Sequence, residues 1–440
     1  MGEYLALVMF PALLLALFLG FHVAFSMMGI ALVFGYLTFD AAVIFQFAQK
    51  IDAVASNFVL AAVPLFIFMG AMLERSGIAE QLFEAVHLWT RRLPGGLAVG
   101  TVVMCVIFAA SSGVIGATET VVGLLAIPVM MKYAYDKGLI SGTICAGGSL
   151  GTIIPPSVVV VVLGPVADVS VGDLFVGMVF PGLLMAGLYI AYIMVRCTVN
   201  PEAGPRLPPS DDEPPLIERI RITLIALAPP VAMITAVLGS IMFGLAAPTE
   251  AAGLGALGSM ILAILYRQFS LRVLNEAVLK TLKVTCMIFL ILLGGNMFAG
   301  VFVAAGGIAL AQDLIEQAAL TRWVTLAVFL FICFAAGFVL DWISVLLIFI
   351  PVFMPIVQSM GFDPVWFCVM FLVVIQTSYL TPPMAPAIFY LRGISPPEIT
   401  LRHMFAGVVP FIFLQLVCLA IVGYFPQMVL WLPAQLLGFR

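Results

Sequence analysis

Long apolar stretches with few polar interruptions set the pattern of this chain. Those near residues 3–20, 22–38, 57–74, 141–164, 172–196, 219–243, 249–266, 284–304, 364–391 and 403–426 are long enough to cross a bilayer core of roughly 30 Å as helix. Two further apolar stretches, 96–132 and 322–359, are interrupted midway. The first breaks at Ala110-Ser111-Ser112-Gly113 and the second from Gly337 through Asp341-Trp342. Their short arms predict re-entrant helical hairpins that enter and leave on one side; two continuous spans joined by a tight turn are the alternative. Segments 78–92 and 270–283 mix charges with apolar residues and predict interfacial amphipathic helices. The expected fold is an all-α integral membrane protein with about ten crossings and two re-entrant hairpins.

Composition narrows the function. Of 440 residues, 64% are hydrophobic and only 9% charged, where soluble domains carry about 25% charged residues. A soluble enzyme, a DNA-binding protein and a disordered scaffold are excluded. The net charge is −4, and the 18 basic residues form no tract for a phosphate backbone, so no nucleic-acid partner is expected. Seven cysteines without a CxxC pair and three histidines give little material for a transition-metal site. No Walker A motif occurs. The GxGxxG of Gly253 to Gly258 lies inside an apolar span, where it reads as close helix packing rather than nucleotide binding. The apolar stretch from Tyr4 to Phe39 is too long for a signal peptide and continues as spans.

Lysine and arginine favour the cytoplasmic side. Arg75, Arg91, Arg92, Lys132 and Lys137 flank the first hairpin. Arg196, Arg206, Arg219 and Arg221 surround the loop 199–218, Arg267, Arg272, Lys280 and Lys283 form another group, and Arg392 and Arg402 a third. Ten crossings and two hairpins put every group on one side of the membrane and both termini on the opposite face of a multi-pass protein. The Pro-rich loop from Asn200-Pro201 to Pro214-Pro215 reads as a hydrated cytoplasmic linker.

The chain also resembles itself. Gly70 and Gly77-Ile78-Ala79 match Gly300 and Gly307-Ile308-Ala309 at an offset of 230. Phe108-Ala109-Ala110 matches Phe334-Ala335-Ala336 at 226, Pro128 and Gly138 match Pro351 and Gly361 at 223, and Pro155-Pro156 matches Pro382-Pro383 at 227. The expected division is a first repeat 1–198, the linker 199–218 and a second repeat 219–440. The first holds scaffold helices 3–74, hairpin 96–132 and broken helix 141–164; the second holds scaffold helices 219–304, hairpin 322–359 and broken helix 364–391. Five crossings and one hairpin per half invert one relative to the other, the signature of a secondary transporter with its site near mid-membrane.

Broken helices survive in hydrocarbon only where protein or water receives their backbone. Four breaks are expected: Ser111-Ser112-Gly113, Gly151 to Ser157, Gly337 to Asp341, and Gln376 to Met384. Proline frees the carbonyls before Pro155 and Pro382, and neighbouring hydroxyls add neutral oxygens suited to Na⁺. The N-termini of the second hairpin arms suit a carboxylate. Asp341 and Glu119 are intramembrane acids and functional candidates; for Glu119 a polar setting inside the hairpin is equally open. An intramembrane hydrolase using Ser111 or Ser112 lacks a nearby base, and two capped hairpins argue against a channel.

Four stretches then point to one family: Pro64-Leu65-Phe66-Ile67-Phe68-Met69-Gly70, Gly151-Thr152-Ile153-Ile154-Pro155-Pro156-Ser157, Pro248-Thr249-Glu250-Ala251-Ala252 and Thr381-Pro382-Pro383, with Leu430-Trp431-Leu432-Pro433 closing the chain. Over essentially its whole length the sequence resembles the large membrane subunit (DctM-like permease) of tripartite ATP-independent periplasmic (TRAP) transporters. The resemblance implies Na⁺-driven import of an organic acid across a bacterial inner membrane. The implied partners are a small four-helix membrane subunit (DctQ-like), a periplasmic substrate-binding protein (DctP-like) and membrane lipid, and the implied mechanism is an elevator. It implies one Na⁺ site at Gly337, Ser378, Thr381 and Met384. The repeat then places another at Ser111, Gly151, Ile154 and Ser157. Substrate would lie between Ser111, Ser112, Gly113, Thr152, Asp341 and Thr377. After the second Pro-Pro the chain reads Met384-Ala385-Pro386-Ala387-Ile388-Phe389-Tyr390 where many members continue with Val-Gly. That resembles the subgroup linked to 2-oxo acids and related monocarboxylates rather than C4-dicarboxylates. A stand-alone Na⁺/carboxylate symporter of similar fold is the rival reading.

Overall fold

A computed structural model describes residues 2–112, 116–207, 214–436 and 438. The first half of the chain opens with α1 (Gly2–Phe18), α2 (Val23–Phe39) and α3 (Ala42–Ala55), followed by a 3-10 turn (Phe58–Ala61) leading into α4 (Ala62–Glu74). Then come α5 (Ile78–Thr90), the hairpin arms α6 (Gly96–Ser112) and α7 (Ala117–Lys132), the interrupted pair α8 (Lys137–Ser149) and α9 (Val158–Ala167), and α10 (Val171–Val199). The second half runs through α11 (Leu216–Met242), α12 (Pro248–Leu265), α13 (Leu271–Ala304) and α14 (Gly307–Gln317). Its hairpin arms are α15 (Arg322–Ala336) and α16 (Trp342–Ser359), its interrupted pair α17 (Pro364–Leu380) and α18 (Pro386–Ile394), and it closes with α19 (Leu401–Tyr424) and α20 (Gln427–Leu436). Six of these helices have the length and apolar character of a membrane span, and α3 with the turn and α4 forms a seventh, bent by 53°. The chain is an all-helical, multi-pass membrane protein.

Two expectations change. Segment 270–283 is no separate interfacial helix: it is the first part of the 34-residue α13. No glycine or proline interrupts 271–293, and at 1.5 Å per residue the helix reaches about 51 Å, well beyond a hydrocarbon core. Its charged end is held by Arg272 to Glu276 at 3.0 Å, Arg75 to Glu276 at 3.3 Å, and Lys280 to Glu74. In the first half the matching stretch, absent from the expected set, is α3. It stops at Ser56-Asn57, where the Asn57 side chain accepts from the Val59 amide at 3.1 Å and starts the bend.

The linker is also tied down along its first part. Tyr135 Oη donates to the Pro205 carbonyl at 3.0 Å and accepts from the Leu97 amide at 3.2 Å. The Gly95 amide donates to the Gly204 carbonyl, the Leu207 amide to the Arg91 carbonyl, and the Asp136 amide to the Ala203 carbonyl. Arg196 closes on Asp136 at 2.8 Å. Burial pushes the Tyr135 phenol up to about 12. Several basic segments far apart in sequence therefore gather at one end of the bundle.

Contacts cross the midpoint of the chain in matched fashion. Helix α4 packs on α12 as α13 packs on α2; α8 packs on α19 as α17 packs on α10; α7 packs on α18 as α16 packs on α9. Helix α8 crosses α19 backbone to backbone. A Cβ on Gly407 would stand 2.1 Å from the Gly138 carbonyl oxygen, and one on Gly142 would stand 2.2 Å from that of Gly407. The backbones touch, so nothing flexible can yield. Within the Gly253-to-Gly258 stretch, Gly255 packs against Met69 of α4 and Gly258 against Met233 of α11, while Gly253 faces open space.

Two stability outcomes follow from this packing. Gly407→Ala is expected to cost about 3 kcal/mol through overpacking, whereas Gly253→Ala, with open space around it, should be neutral or gain up to about 1 kcal/mol; equilibrium unfolding in lipid–detergent micelles compares them. His87 on α5 lies against Gly100 of α6 and edge-on to Phe83 at 4.0 Å, with both ring nitrogens buried and unpartnered among the described residues. Burial lowers its pKa to about 4. The unfolded histidine, near 6.5, takes a proton that the folded one refuses. Stability should therefore be full above about pH 6.5 and fall by roughly 3 kcal/mol as pH drops towards 4; His87→Phe should remove that slope in the same assay.

Candidate functional site

Each half carries a helix broken at its Pro-Pro. Helix α8 ends at Ser149, passes through a 3-10 turn at Leu150–Thr152, and resumes as α9 after Ser157. Helix α17 ends at Leu380 and resumes as α18 at Pro386. Both Pro155-Pro156 and Pro382-Pro383 are cis. At Ala385 the backbone takes φ +37°, a left-handed conformation that costs a non-glycine residue about 1 kcal/mol or more.

The second hairpin seats its tip on the second break. A Cβ on Gly337 would stand 2.3 Å from Ser378 Oγ and 2.6 Å from Ser378 Cβ, so only glycine allows this approach. Ser378 Oγ donates to the Ile375 carbonyl at 2.8 Å, and Thr381 Oγ1 donates to the Thr377 carbonyl at 2.7 Å. Each hydroxyl keeps lone pairs for a further partner. Gly337, Ser378 and Asp341 line one cleft of about 340 Å³, together with His22, Tyr379 and Tyr390. Thr381 is half-buried beside it and Met384 exposed.

The first break is closed by comparison. Gly151, Thr152, Ile154 and Ser157 are all buried. Thr152 Oγ1 donates to the Ser149 carbonyl at 2.9 Å. Ser157 caps α9 through backbone geometry alone, and its fully buried Oγ has no hydrogen-bond partner among the described residues. Ser111 and Ser112 end α6, but their side chains, and Gly113 altogether, lie outside the described residues. Thr377 donates to the Val373 carbonyl at 2.8 Å and lines a separate apolar cavity between α15, α17 and α19. It is not brought to the Asp341 cleft.

The hairpin-arm N-termini differ from expectation. The Asp341 carboxylate already caps α16, accepting from the Ile343 amide at 3.1 Å and from the Ser344 hydroxyl. Glu119 does the same for α7, its Oε2 accepting from the Gly116 amide at 2.9 Å. These dipoles face the chain's own acids, so the N-terminus of each second hairpin arm is already capped by a carboxylate rather than left bare for an anion.

Sequence reasoning missed one cluster. Gln376 Nε2 donates to Ser149 Oγ at 3.1 Å, and Gln415 Nε2 donates to Tyr189 Oη at 2.8 Å and to Ser149 Oγ at 3.5 Å. All four residues are fully buried, and both glutamine Oε1 atoms lack partners among the described residues. Ser149 and Gln376 are 227 positions apart, Tyr189 and Gln415 226, the offsets already seen in the repeat. The signal was available: two intramembrane glutamines at repeat-matched positions.

The sequence matches the family described as the tripartite ATP-independent periplasmic transporter, DctM component, over residues 10–428. It is 31% identical over 391 residues to the C4-dicarboxylate TRAP transporter large permease protein of Pseudomonas aeruginosa, covering 88% of each chain. It is 27% identical to the sialic acid TRAP large permease of Vibrio cholerae, covering 96% of this chain and 97% of that one. Against the ectoine/5-hydroxyectoine TRAP large permease of Ruegeria pomeroyi the identity is 28%, with 97% and 98% covered. Among solved structures, the fold resembles the YdaH transporter of Alcanivorax borkumensis at a TM-score of 0.63 and 16% identity, covering 96% of this chain and 98% of that one. MtrF of Neisseria gonorrhoeae follows at 0.58 and 13%, with 90% and 85% covered. Matched end to end by relatives that are transporter permeases, this broken-helix membrane chain belongs to the DctM family of TRAP transporter large permease subunits.

Proposed function

We propose that this permease imports an organic acid, a 2-oxo acid or related monocarboxylate or else a C4-dicarboxylate, driven by Na⁺. The contact of Gly337 with Ser378 carries the reading: a hairpin tip pressed onto the hydroxyl-bearing end of a broken helix. One Na⁺ sits there, held by the Gly337 and Met384 carbonyls and the Ser378 and Thr381 hydroxyls. The other sits at Ser111, Gly151, Ile154 and Ser157, where the orphaned Ser157 Oγ is a buried acceptor in need of a partner. Neutral oxygens suit a hard monovalent cation, and two bound charges compensate a carboxylate arriving beside capped helix ends. The relatives' substrates by name, C4-dicarboxylates, sialic acid and ectoine, all carry a carboxylate. Substrate lies between the first hairpin tip at Ser111–Gly113, Thr152 and Asp341; Thr377, which faces the separate apolar cavity, leaves the set.

The two halves, 1–198 and 219–440 joined by 199–218, are inverted repeats about a two-fold axis. Residues related by such an axis touch each other only on it, and the Ser149–Gln376 and Tyr189–Gln415 contacts support that placement. Hairpins and broken helices travel together as the elevator body against α2, α4, α12 and α13. The protein lies in the bacterial inner membrane with both termini periplasmic, beside a small four-helix membrane subunit, and receives substrate from a periplasmic binding protein. Family membership replaces the stand-alone symporter reading.

In lipid-reconstituted full-length protein, NaCl should raise the thermal unfolding midpoint relative to choline chloride. Thr381→Ala and Gly337→Ala should each weaken the apparent Na⁺ affinity about tenfold, or roughly 1.4 kcal/mol; an unchanged Na⁺ titration in both removes the site. Proteoliposome uptake of labelled 2-oxo acids, monocarboxylates and C4-dicarboxylates, with the cognate binding protein added, should require Na⁺. Uptake that persists in choline overturns Na⁺ coupling.

A further inference from the structure

Glu119 is the one fully buried acid in the described membrane core, and beyond capping α7 it has no role in the reading above. Its Oε2 is tied to the Gly116 amide, while Oε1 is buried without a hydrogen-bond partner among the described residues. The carboxyl rests on bare backbone: a Cβ on Gly148 of α8 would stand 2.3 Å from Glu119 Cγ. The Tyr390 ring of α18 covers Gly116, 3.0 Å from where a Cβ would be. Beside the carboxyl, within hydrogen-bonding reach of it, lies the buried Tyr379 hydroxyl on the last turn of α17, with no other partner among the described residues. One carboxyl therefore touches the first hairpin, the helix entering the first break and the flanks of the second.

The titratable groups whose fields reach it are Cys105 of α6, Cys145 of α8, Tyr379 of α17 and Tyr390 of α18. None is a cation. An ionised carboxylate in apolar surroundings without counter-charge is strongly disfavoured, and such a group sheds its charge instead. A proton on Oε1 turns the unpaired acceptor into a donor, and the Tyr379 oxygen stands ready to accept. Asp341, the acid of the other hairpin, is exposed and doubly hydrogen-bonded, so the two tips are not equivalent.

We propose that Glu119 is a proton-binding site of the transport cycle, loaded when the first hairpin is seated against Gly148 and Tyr379 and discharged when the hairpin separates and water reaches it. One proton adds to the carboxylate and the same proton leaves, with no electron transfer, so H⁺ moves alongside Na⁺. This rests on the reading of the hairpins as moving elements.

Infrared spectroscopy of the full-length protein in lipid tests it. At neutral pH in saturating NaCl, the wild type should show the carbonyl band of a neutral, D₂O-sensitive carboxylic acid. Glu119→Gln should lose the band and Asp341→Asn should keep it. In weakly buffered solution with a pH dye, replacing choline chloride by NaCl should seat the hairpin and take up roughly one proton per chain in the wild type and none in Glu119→Gln. No acid band in the wild type, a band surviving in Glu119→Gln, or equal proton counts would overturn the proposal. The wild-type measurements alone decide against it if the variant does not fold. Loss of Na⁺ stabilisation in every protein, with the acid band still lost in Glu119→Gln, would instead sink the Na⁺ reading and leave the buried proton standing.

Discussion

Hydrocarbon offers no hydrogen-bond partner to a peptide group, and this single constraint organises the structure. A helix that breaks within the membrane exposes carbonyls and amides that must be received by protein, ion or water. Here both breaks are wrapped by elements from the other half of the chain: α7 lies on α18 and α16 on α9, while α19 and α10 cover α8 and α17. The unwound segments are thus possible only because the halves interlock. Hairpins are the natural wrapping, since a tip can reach mid-membrane and still satisfy its own ends, as Asp341 and Glu119 do through their caps.

The halves share an element order but not a state of closure. The first break is buried throughout, whereas Pro383, Met384 and Asp341 of the second are exposed. The scaffold departs from symmetry too. In one half the stretch is an uninterrupted 34-residue helix, longer than a hydrocarbon core is thick; in the other it is bent by 53° where Asn57 sits.

Much of the plan was legible in the chain. Hairpins and breaks were readable at Gly337 and the two Pro-Pro pairs because proline and glycine alter the backbone wherever they sit. Helix α3 escaped notice because Gln46, Lys50 and Asp52 lower its apolar character. The continuity of α13 escaped because charges at Arg272 and Lys280 look interfacial until Glu276 and Glu74 are seen to pair with them. The offset near 227 predicted the repeat, yet not that Ser149 and Gln376 touch, since an offset carries no distance.

The sequence by itself determined the class, the two Pro-Pro breaks and the family, because hydropathy, proline placement and motif spacing are local properties written residue by residue. Only the tertiary structure decided which oxygens are already engaged. Asp341 is spent on capping α16, Thr377 turns towards an apolar cavity, Ser157 is left bare, and Glu119 lies sealed without a cation. The Asp341 cap is local, to Ile343 and Ser344, but the cavity that Thr377 faces and the sealing of Glu119 beside Tyr379 depend on elements distant along the chain, which no local pattern encodes.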